Sequence, residues 1–276
     1  MIHLGLIGYP LGHSLSPIIH AAALRDCGLQ GDYSLFSVHP DDRQGLKDLL
    51  DRVRSGEITG LNVTIPHKQN VLELTDELTS TAQAIGAVNT IYMRENKLIG
   101  DNTDAPGFLA DLRQFLSGDQ LPSENHKSSI VLGAGGSARA IVYALVNDGW
   151  DVTIAARRPE QAQEVASQYE KISAIELNLH IFQLESFNLI VNTTPLGMTP
   201  NIDQSPLPEN LSLPQHVAIY DLVYNPRETK LVNDACAKGL KATTGFGMLI
   251  EQAALSFELW TGKSPSRDVL WNAVND

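Results

Sequence analysis

The stretch at 129–149, SIVLGAGGSARAIVYALVNDG, decides the fold. A short apolar strand pattern runs into a glycine-rich turn, and a helical pattern follows at once. In the turn, Gly133 permits a tight bend, Gly135 lets the backbone approach a pyrophosphate, and the small Ala138 lets helix and strand pack closely. A second strand pattern follows at 151–157. This order of strand, turn, helix and strand predicts a Rossmann dinucleotide-binding unit, and the alternative is a glycine-rich turn that binds nothing.

The end of that second strand indicates which dinucleotide is bound. A site for NAD places an acidic residue about 20 residues after the glycines, where it binds the ribose hydroxyls. Arg157 and Arg158 stand there instead, and Asp151 lies at the start of the strand. Because arginine can bind a phosphate with two hydrogen bonds, this pair favours NADP over NAD. A solvated surface pair is the alternative.

Strand and helix patterns alternate on both sides of this unit, which predicts an α/β protein with a largely parallel sheet. A polar segment at 117–129 is typical of a linker between two domains. The last long helix follows the dinucleotide unit, and we expect it to pack back on the first domain. The predicted strands are 4–8, 33–38, 61–65, 189–194, 217–223 and 241–245, with a hairpin at 89–100 turning at Glu95-Asn96, and the predicted helices are 16–29, 41–53, 104–116, 159–169, 228–238 and 248–260.

Composition limits the partners and the location. The 276 residues are 43% hydrophobic and carry a formal net charge of −12, so nucleic acid and anionic membranes, which need a basic face, are not expected partners. No apolar run is long enough to span a membrane, and no signal peptide pattern opens the sequence. Cys27 and Cys236 are too few and too far apart for a disulfide framework, which predicts a reducing compartment, the cytoplasm. We expect a small-molecule substrate, no metal, and a monomer or homodimer.

The segment LNVTIPHKQ at 61–69 contains a candidate catalytic lysine, Lys68. Its alternating apolar residues predict a half-buried strand, and Pro66 suits the first turn of a helix, so Lys68 lies at a strand-to-helix junction. Reduction of a ketone by a nicotinamide cofactor needs a proton donor such as lysine, together with polar groups that fix the substrate. Taken singly, Lys68 could be a solvated surface lysine. The other polar candidates are Ser14, Ser16, Asn62, Thr64, Asn89 and Asp104.

Two of these candidates also fit a purely structural role. Ser16 stands before Pro17 and is predicted as the N-cap of the first helix. Asp104 could likewise only cap the helix that follows it.

Eight motifs in this order resemble the shikimate dehydrogenase family, from about residue 4 to 262: GHSLSP, NVTIPHK, GAVNT, GDNTD, GAGGSARA, VNTTPLGM, YDLVYNP and GMLIEQA. The resemblance implies a mostly parallel α/β substrate-binding and catalytic domain at 1–104 plus 246–276. It implies a Rossmann NADP-binding domain at 105–245. The implied reaction is the reversible NADPH-dependent reduction of 3-dehydroshikimate to shikimate, a step toward chorismate and the aromatic amino acids.

The resemblance also implies residue roles. Lys68 would be the acid–base residue, and Asp104 would orient it and the substrate. Ser14 and Ser16 would hold the shikimate carboxylate. The remaining implied substrate residues are Thr64, Asn89, Asp104 and Gln252 on the hydroxyls, with Tyr224 nearby. The implied cofactor residues are Gly133, Ala134, Gly135, Gly136, Ser137, Ala156, Arg157, Arg158, Thr194, Leu222 and Gly245.

The sequence departs from the family pattern at one place, after the second Rossmann strand. The family usually has Asn-Arg-Thr after the second Rossmann strand, where this chain has Ala156-Arg157-Arg158. The arginine is retained, and Arg158 is expected to replace the lost polar contacts.

Three alternative functions remain open at this point. A quinate or dual quinate/shikimate dehydrogenase is the nearest alternative, and a folate-linked dehydrogenase is a more distant one. A non-catalytic NADP-binding sensor would keep the glycine turn but has no reason to keep both Lys68 and Asp104.

Overall fold

The chain divides into two compact units in the computed structural model. The first unit combines 1–107 with 250–276, and the second is 108–249. The structure describes residues 1–117, 127–177, 184–209 and 211–275. Most of the predicted linker at 117–129 therefore lies outside the described residues. The expected domain limits, 1–104 plus 246–276 and 105–245, fall a few residues from the limits of the two units.

The first unit is built on a six-stranded sheet. Of its five described strand pairs, three are parallel and two are antiparallel. The predicted hairpin is present, and Glu95 and Asn96 turn it with φ of 52° and 61°. That left-handed pair is typical of a two-residue hairpin turn. The strands are β1 (Ile2–Gly8), β2 (Gly31–Ser37), β3 (Gly60–Val63), β4 (Glu77–Leu78), β5 (Thr90–Arg94) and β6 (Lys97–Asp101), in the order β2-β1-β3-β5-β6-β4.

The second unit is built on another six-stranded sheet, in which every described pairing is parallel. Read from one edge, its order is third, second, first, fourth, fifth, sixth, which is the doubly wound Rossmann order. In such sheets ligands bind at the carboxyl ends of strands where the order reverses, here between the first and the fourth strand. The strands are β7 (Ser128–Leu132), β8 (Asp151–Ala156), β9 (Ser173–Glu176), β10 (Leu189–Asn192), β11 (Ala218–Asp221) and β12 (Ala242–Thr244), in the order β12-β11-β10-β7-β8-β9.

Helices cover these sheets with apolar faces. The helices are α1 (Ser16–Asp26), α2 (Arg43–Arg54), α3 (Ser80–Ile85), α4 (Asp104–Leu116), α5 (Gly136–Asn147), α6 (Pro159–Ala166), α7 (Lys230–Ala237), α8 (Phe246–Thr261) and α9 (Arg267–Ala273). In the first unit, Leu46, Leu50 and Val53 of α2 are buried against the sheet. In the second unit, Leu231 and Ala235 of α7 are buried in the same way. Within the described ranges, no helix has the length and apolar character needed to cross a membrane.

The C-terminal helices pack on the first unit, as expected. Trp260 of α8 donates from Nε1 to the Ile91 carbonyl at 3.1 Å. Gly60 makes room for that indole, because a Cβ there would lie 2.2 Å from Trp260 Cδ1. The final helix α9 packs against α1. An α/β fold with two sheets, the second of Rossmann type, is thus confirmed.

Three local predictions were wrong. The strand at 61–65 was predicted half-buried, but β3 ends at Val63 and all four of its residues are buried, since helices and neighbouring strands enclose it. No α-helix begins at Pro66, because His67 N bonds to the Thr64 carbonyl in a turn, and only a 3₁₀ helix follows at Leu72–Leu74. Ser16 is not an N-cap, because it is the first helical residue and its side chain caps no backbone group.

Candidate active site

Lys68 and Asp104 form a buried ion pair in the first unit. Lys68 Nζ lies 2.5 Å from Asp104 Oδ2, and the two side chains are 11% and 6% exposed. Lys68 stands in the turn after β3, where its carbonyl accepts from Val88 N at 2.8 Å. The reading of Lys68 as a solvated lysine is therefore excluded. Because the pair is withdrawn from water, its charges act on each other and on a bound molecule more strongly than surface charges do.

Asp104 is free of a capping role because another side chain performs it. Asp104 is the first residue of α4. Asn102 Oδ1 accepts from the backbone N–H groups of Asp104 and Ala105, at 3.1 and 3.3 Å. Asn102 thus satisfies the first turn, as an N-cap side chain does. The Asp104 carboxylate is left to face Lys68.

Asn89 joins this pair. Its Nδ2 donates to Asp104 Oδ1 at 2.8 Å, so both carboxylate oxygens of Asp104 have a partner. Gln252 Oε1 lies 3.4 Å from the same nitrogen. Gln252 reaches it because Gly107 allows α4 and α8 to touch: a Cβ on Gly107 would lie 2.8 Å from Gln252 N. Four predicted residues, Lys68, Asn89, Asp104 and Gln252, therefore come together.

Ser14, Ser16 and Thr64 lie beyond the carboxyl ends of β1 and β3, which are parallel neighbours. Ser16 N donates to Ser14 Oγ at 3.3 Å. Thr64 N donates to the Ile7 carbonyl at 2.8 Å, and a Cβ on Gly8 would lie 2.4 Å from Thr64 Cγ2. The three side chains thus occupy the edge of the sheet where α/β proteins bind ligands.

Residues that sequence reasoning did not assign lie beneath this site. Thr90, Thr103 and Ser256 are buried, and their hydroxyls contact one another at 2.7 to 3.3 Å. Asn62, noted in the sequence but given no role, donates to Ser256 Oγ at 3.0 Å. The sequence contained one signal for this cluster. Ser256 stands four residues after Gln252, so both side chains lie on one face of α8.

The glycine turn of the second unit, residues 133–138, has the geometry of a phosphate cradle. Gly133 has φ +115°, and a Cβ there would lie 2.5 Å from Thr193 Oγ1. Gly135 directly precedes α5, and a Cβ on it would meet nothing within 4 Å, so space is open above the helix N-terminus. Ala138 is fully buried against the sheet. These features fit a bound pyrophosphate, because the first-turn N–H groups and the helix dipole attract an anion.

Arg157 and Arg158 directly follow β8, and both are exposed. Neither pairs with a carboxylate in the part of the chain that the structure describes. Ala156 before them is buried. Two exposed cations at the strand end fit the phosphate that distinguishes NADP from NAD.

The remaining predicted cofactor residues lie on loops after β10, β11 and β12. Thr194 Oγ1 donates to Asn192 Oδ1 at 2.7 Å, and Leu222 N donates to the Asn192 carbonyl at 2.9 Å. Gly245 allows close approach, since a Cβ there would lie 2.4 Å from the Leu222 carbonyl oxygen. Tyr224 is in the loop after β11, and burial raises its pKa.

One carboxylate was missed in this region. Asp221 is fully buried and accepts from Asn192 Nδ2, Thr229 Oγ1 and Val223 N at 2.8, 2.7 and 3.1 Å. Burial raises its pKa to about 6, against the opposing effect of these donors. Asp221 therefore ties the loops after β10 and β11 together.

Comparison with known proteins decides the family. Residues 6–91 match the family described as "Shikimate dehydrogenase substrate binding domain", and residues 116–231 match "Shikimate / quinate 5-dehydrogenase". Residues 245–274 match "Shikimate 5'-dehydrogenase C-terminal domain". The chain belongs to the shikimate dehydrogenase family. The earlier resemblance is thereby confirmed over nearly the whole chain.

Individual family members agree over the full length. Shikimate dehydrogenase (NADP(+)) of Bacillus subtilis is 40% identical over 274 residues, covering 98% of this chain and 95% of its own. The structure of shikimate 5-dehydrogenase of Thermus thermophilus, in complex with NADP(H) and shikimate, has a TM-score of 0.87 at 38% identity and covers 100% and 99% of the two chains. Quinate dehydrogenase of Corynebacterium glutamicum, in complex with NAD, has the same TM-score at 31% identity and covers 99% and 98%.

Proposed function

We propose that this protein is an NADP-dependent shikimate dehydrogenase, which reversibly reduces 3-dehydroshikimate to shikimate on the route to chorismate and the aromatic amino acids. The observation that carries the proposal is the buried Lys68–Asp104 pair, which stands beside Asn89 and Gln252 in a family member. A sensor that only binds NADP has no use for such a pair, because burying two charges costs free energy that binding alone does not require.

Lys68 acts as the acid–base residue in this proposal. When bound, NADPH supplies the hydride for the ketone carbon. Lys68 Nζ gives a proton to the oxygen that becomes charged, and it takes that proton back in the direction of shikimate oxidation. Asp104, at 2.5 Å, holds the ammonium in place and keeps it aimed at one position. Asn89 fixes the other carboxylate oxygen, so the pair is oriented before the substrate arrives.

The other residues bind the substrate. The hydroxyls of Ser14 and Ser16 are assigned to the shikimate carboxylate, which accepts hydrogen bonds. Short amide, hydroxyl and carboxylate side chains suit the ring hydroxyls, which both donate and accept. The residues assigned to these ring hydroxyls are Thr64, Asn89, Asp104 and Gln252. Tyr224 is assigned to the substrate by the family resemblance.

The second unit holds the cofactor. The turn residues Gly133, Ala134, Gly135, Gly136 and Ser137 are assigned to the pyrophosphate. Ala156, Arg157 and Arg158 are assigned to the adenosine end, with the two arginines on its phosphate. Thr194, Leu222 and Gly245 are assigned to the nicotinamide end. In the same proposal, 1–104 plus 246–276 form the substrate-binding domain and 105–245 form the NADP-binding domain.

Two further proposals concern the cellular location and the assembly of the chain. Cys27 and Cys236 are free thiols, which supports the cytoplasm. A monomer or homodimer is proposed, and sedimentation of the purified chain distinguishes the two.

The test is turnover by the purified protein with each of four pairs: shikimate or quinate, with NADP or NAD. Reduced cofactor is followed by its near-ultraviolet absorbance. Rapid turnover with shikimate and NADP alone is expected. Comparable turnover with quinate or NAD would move the protein to the dual-specificity rival. Absence of turnover in folded protein that binds NADP would favour the sensor.

A further inference from the structure

A closed ring of hydrogen bonds lies directly under the acid–base residues. Asn89 Nδ2 contacts Thr103 Oγ1 at 2.9 Å, and Thr103 Oγ1 contacts Ser256 Oγ at 2.9 Å. Ser256 Oγ contacts Thr90 Oγ1 at 2.7 Å, and Thr90 Oγ1 returns to Asn89 Oδ1 at 2.9 Å. All four residues are at most 3% exposed, so water does not compete for these bonds.

Hydrogen-bond chemistry sets the direction of the ring. The Asn89 amide nitrogen can only donate and its oxygen can only accept. Each hydroxyl has a single proton, and that of Thr90 goes to Asn89 Oδ1, so Ser256 donates to Thr90 and Thr103 donates to Ser256 when all four ring contacts are hydrogen bonds. A longer contact of 3.2 Å joins Thr103 Oγ1 to Asn89 Oδ1. Asn62 Nδ2 donates to Ser256 from outside the ring, which occupies a second lone pair of that hydroxyl. Ser256 thus joins Thr103 to Thr90 through contacts of 2.9 and 2.7 Å, both shorter than the direct contact of 3.3 Å between the two threonine hydroxyls.

The ring fixes the orientation of the Asn89 amide. Asn89 Oδ1 also accepts from the backbone N–H of Thr103 at 2.7 Å. A rotation of the amide by half a turn would place Nδ2 against that N–H and against the Thr90 proton, leaving buried donors without acceptors. Asn89 Nδ2 is therefore held toward Asp104 Oδ1, and Asp104 Oδ2 is left for Lys68.

We propose that Ser256 is a positioning residue for the acid–base reaction. It acts through the ring on the Asn89 amide, and through that amide on the angle at which Asp104 meets Lys68. This inference rests on the proposed function, because it concerns the same reaction.

Two substitutions break the ring at adjacent links. Ser256→Ala removes one hydroxyl, and Thr90→Val removes the next with almost the same shape. Each is expected to lower kcat for shikimate oxidation about tenfold, because a mispositioned proton acceptor stabilises the transition state less well. The KM for NADP is expected to stay unchanged. The double variant is expected to lose no more than the worse single variant, because both break one unit.

Two controls separate positioning from simple loss of stability. Thr90→Ser keeps the hydroxyl and is expected to retain the wild-type kcat. Ile250→Val removes one buried methylene from the same helix without touching the ring, and should lower the melting temperature but not kcat.

The outcomes distinguish this inference from the proposed function. If the wild-type protein turns over shikimate while Ser256→Ala and Thr90→Val both match it in kcat, the inference is overturned and the function stands. Strictly multiplicative losses in the double variant would also overturn it. If the wild-type protein does not turn over shikimate at all, the proposed function fails first.

Discussion

The two units form their candidate binding sites from different kinds of groups. In the first unit, Lys68, Asn89 and Asp104 are buried side chains that already hold one another. In the second, the glycine turn offers backbone N–H groups and open space, and Arg157 and Arg158 are exposed and not paired with any described carboxylate. Chemistry requires groups fixed to within a fraction of an ångström, whereas a large anion is bound by charge and backbone that adapt to it. Changes in the first site should therefore lower kcat, and changes in the second should raise the KM for NADP.

The largest effect is expected from Lys68→Ala. Removal of a proton donor lowers kcat by about 10³-fold, within the range that general acid–base catalysis contributes. NADP binding, measured by calorimetry, is expected to remain at the wild-type level. The exposed Lys47→Ala is the matched control and should behave like wild type. Unchanged turnover in Lys68→Ala would remove this residue from the acid–base role.

Arg157→Ala tests the opposite side of the comparison. Loss of a charged hydrogen bond to phosphate is expected to raise the KM for NADP by roughly 10- to 100-fold. The KM for NAD, which lacks that phosphate, should stay the same, and so should kcat. Arg158→Ala is expected to have a smaller effect of the same kind, and the exposed Arg94→Ala should have none. Equal losses with NADP and NAD would contradict the assignment of the arginines.

Two glycines in the same turn should separate binding from folding. Gly135→Ala meets nothing within 4 Å and has an ordinary φ of −81°, so stability should be kept while the KM for NADP rises roughly tenfold through contact with the cofactor. Gly133→Ala places a side chain at φ +115° and against Thr193, and is expected to lower the free energy of unfolding by about 1–3 kcal/mol. Urea unfolding and NADP titration of both variants measure the contrast. Equal destabilisation by both substitutions would show that Gly135 serves the fold rather than the cofactor.

The last effects concern pH, and the stabilities of the two units should respond to it with opposite sign. His20 is fully buried in the first unit, stacked on Tyr33 at 4.3 Å, and burial lowers its pKa from 6.5 to about 3. Because the unfolded chain binds this proton more readily, the stabilising effect of neutral His20 is complete above pH 6.5 and declines as pH falls toward 3. The contribution of His20 to the free energy of unfolding should therefore fall steadily as pH drops from 6.5 toward 3.

Asp221 in the second unit should give a pH dependence of stability with the opposite sign. Its pKa is raised from 3.8 to about 6, so the folded chain keeps a proton that the unfolded chain has lost. Its contribution is present at low pH and is lost as pH rises from 3.8 to 6. Urea unfolding at pH 4.5 and 6 should therefore show a steeper rise of stability with pH in Asp221→Asn than in wild type, and a shallower one in His20→Phe. Parallel pH curves for wild type and both variants would contradict both assignments.

The same contrast explains what the sequence could predict. The glycine turn, the two arginines and the hairpin at Glu95-Asn96 depend on neighbours in sequence, so spacing alone places them. The burial of Asn62 depends on distant partners, and the alternating pattern at 61–65 did not predict it. Ser256 lies 194 residues from Asn62, and no local pattern connects them. Short elements such as β4, α3 and β9 lack enough residues to show a period. The roles proposed for Lys68 and Asp104 rest on the family resemblance, since single polar residues are ambiguous by themselves.

The placement of α8 has a consequence for how the protein is made. The second unit is contiguous in sequence, but the first sheet receives Trp260 and Ser256 only after nearly all other residues have been synthesised. Since domains generally fold as units, the second unit can complete its fold while the first unit still lacks its last helices. Until then the groove at Gly60 is uncovered and the hydrogen-bond ring is open. A chain that ends between the end of the second unit and Ser256 should therefore keep a folded glycine turn but lack the hydrogen-bond ring of the first unit.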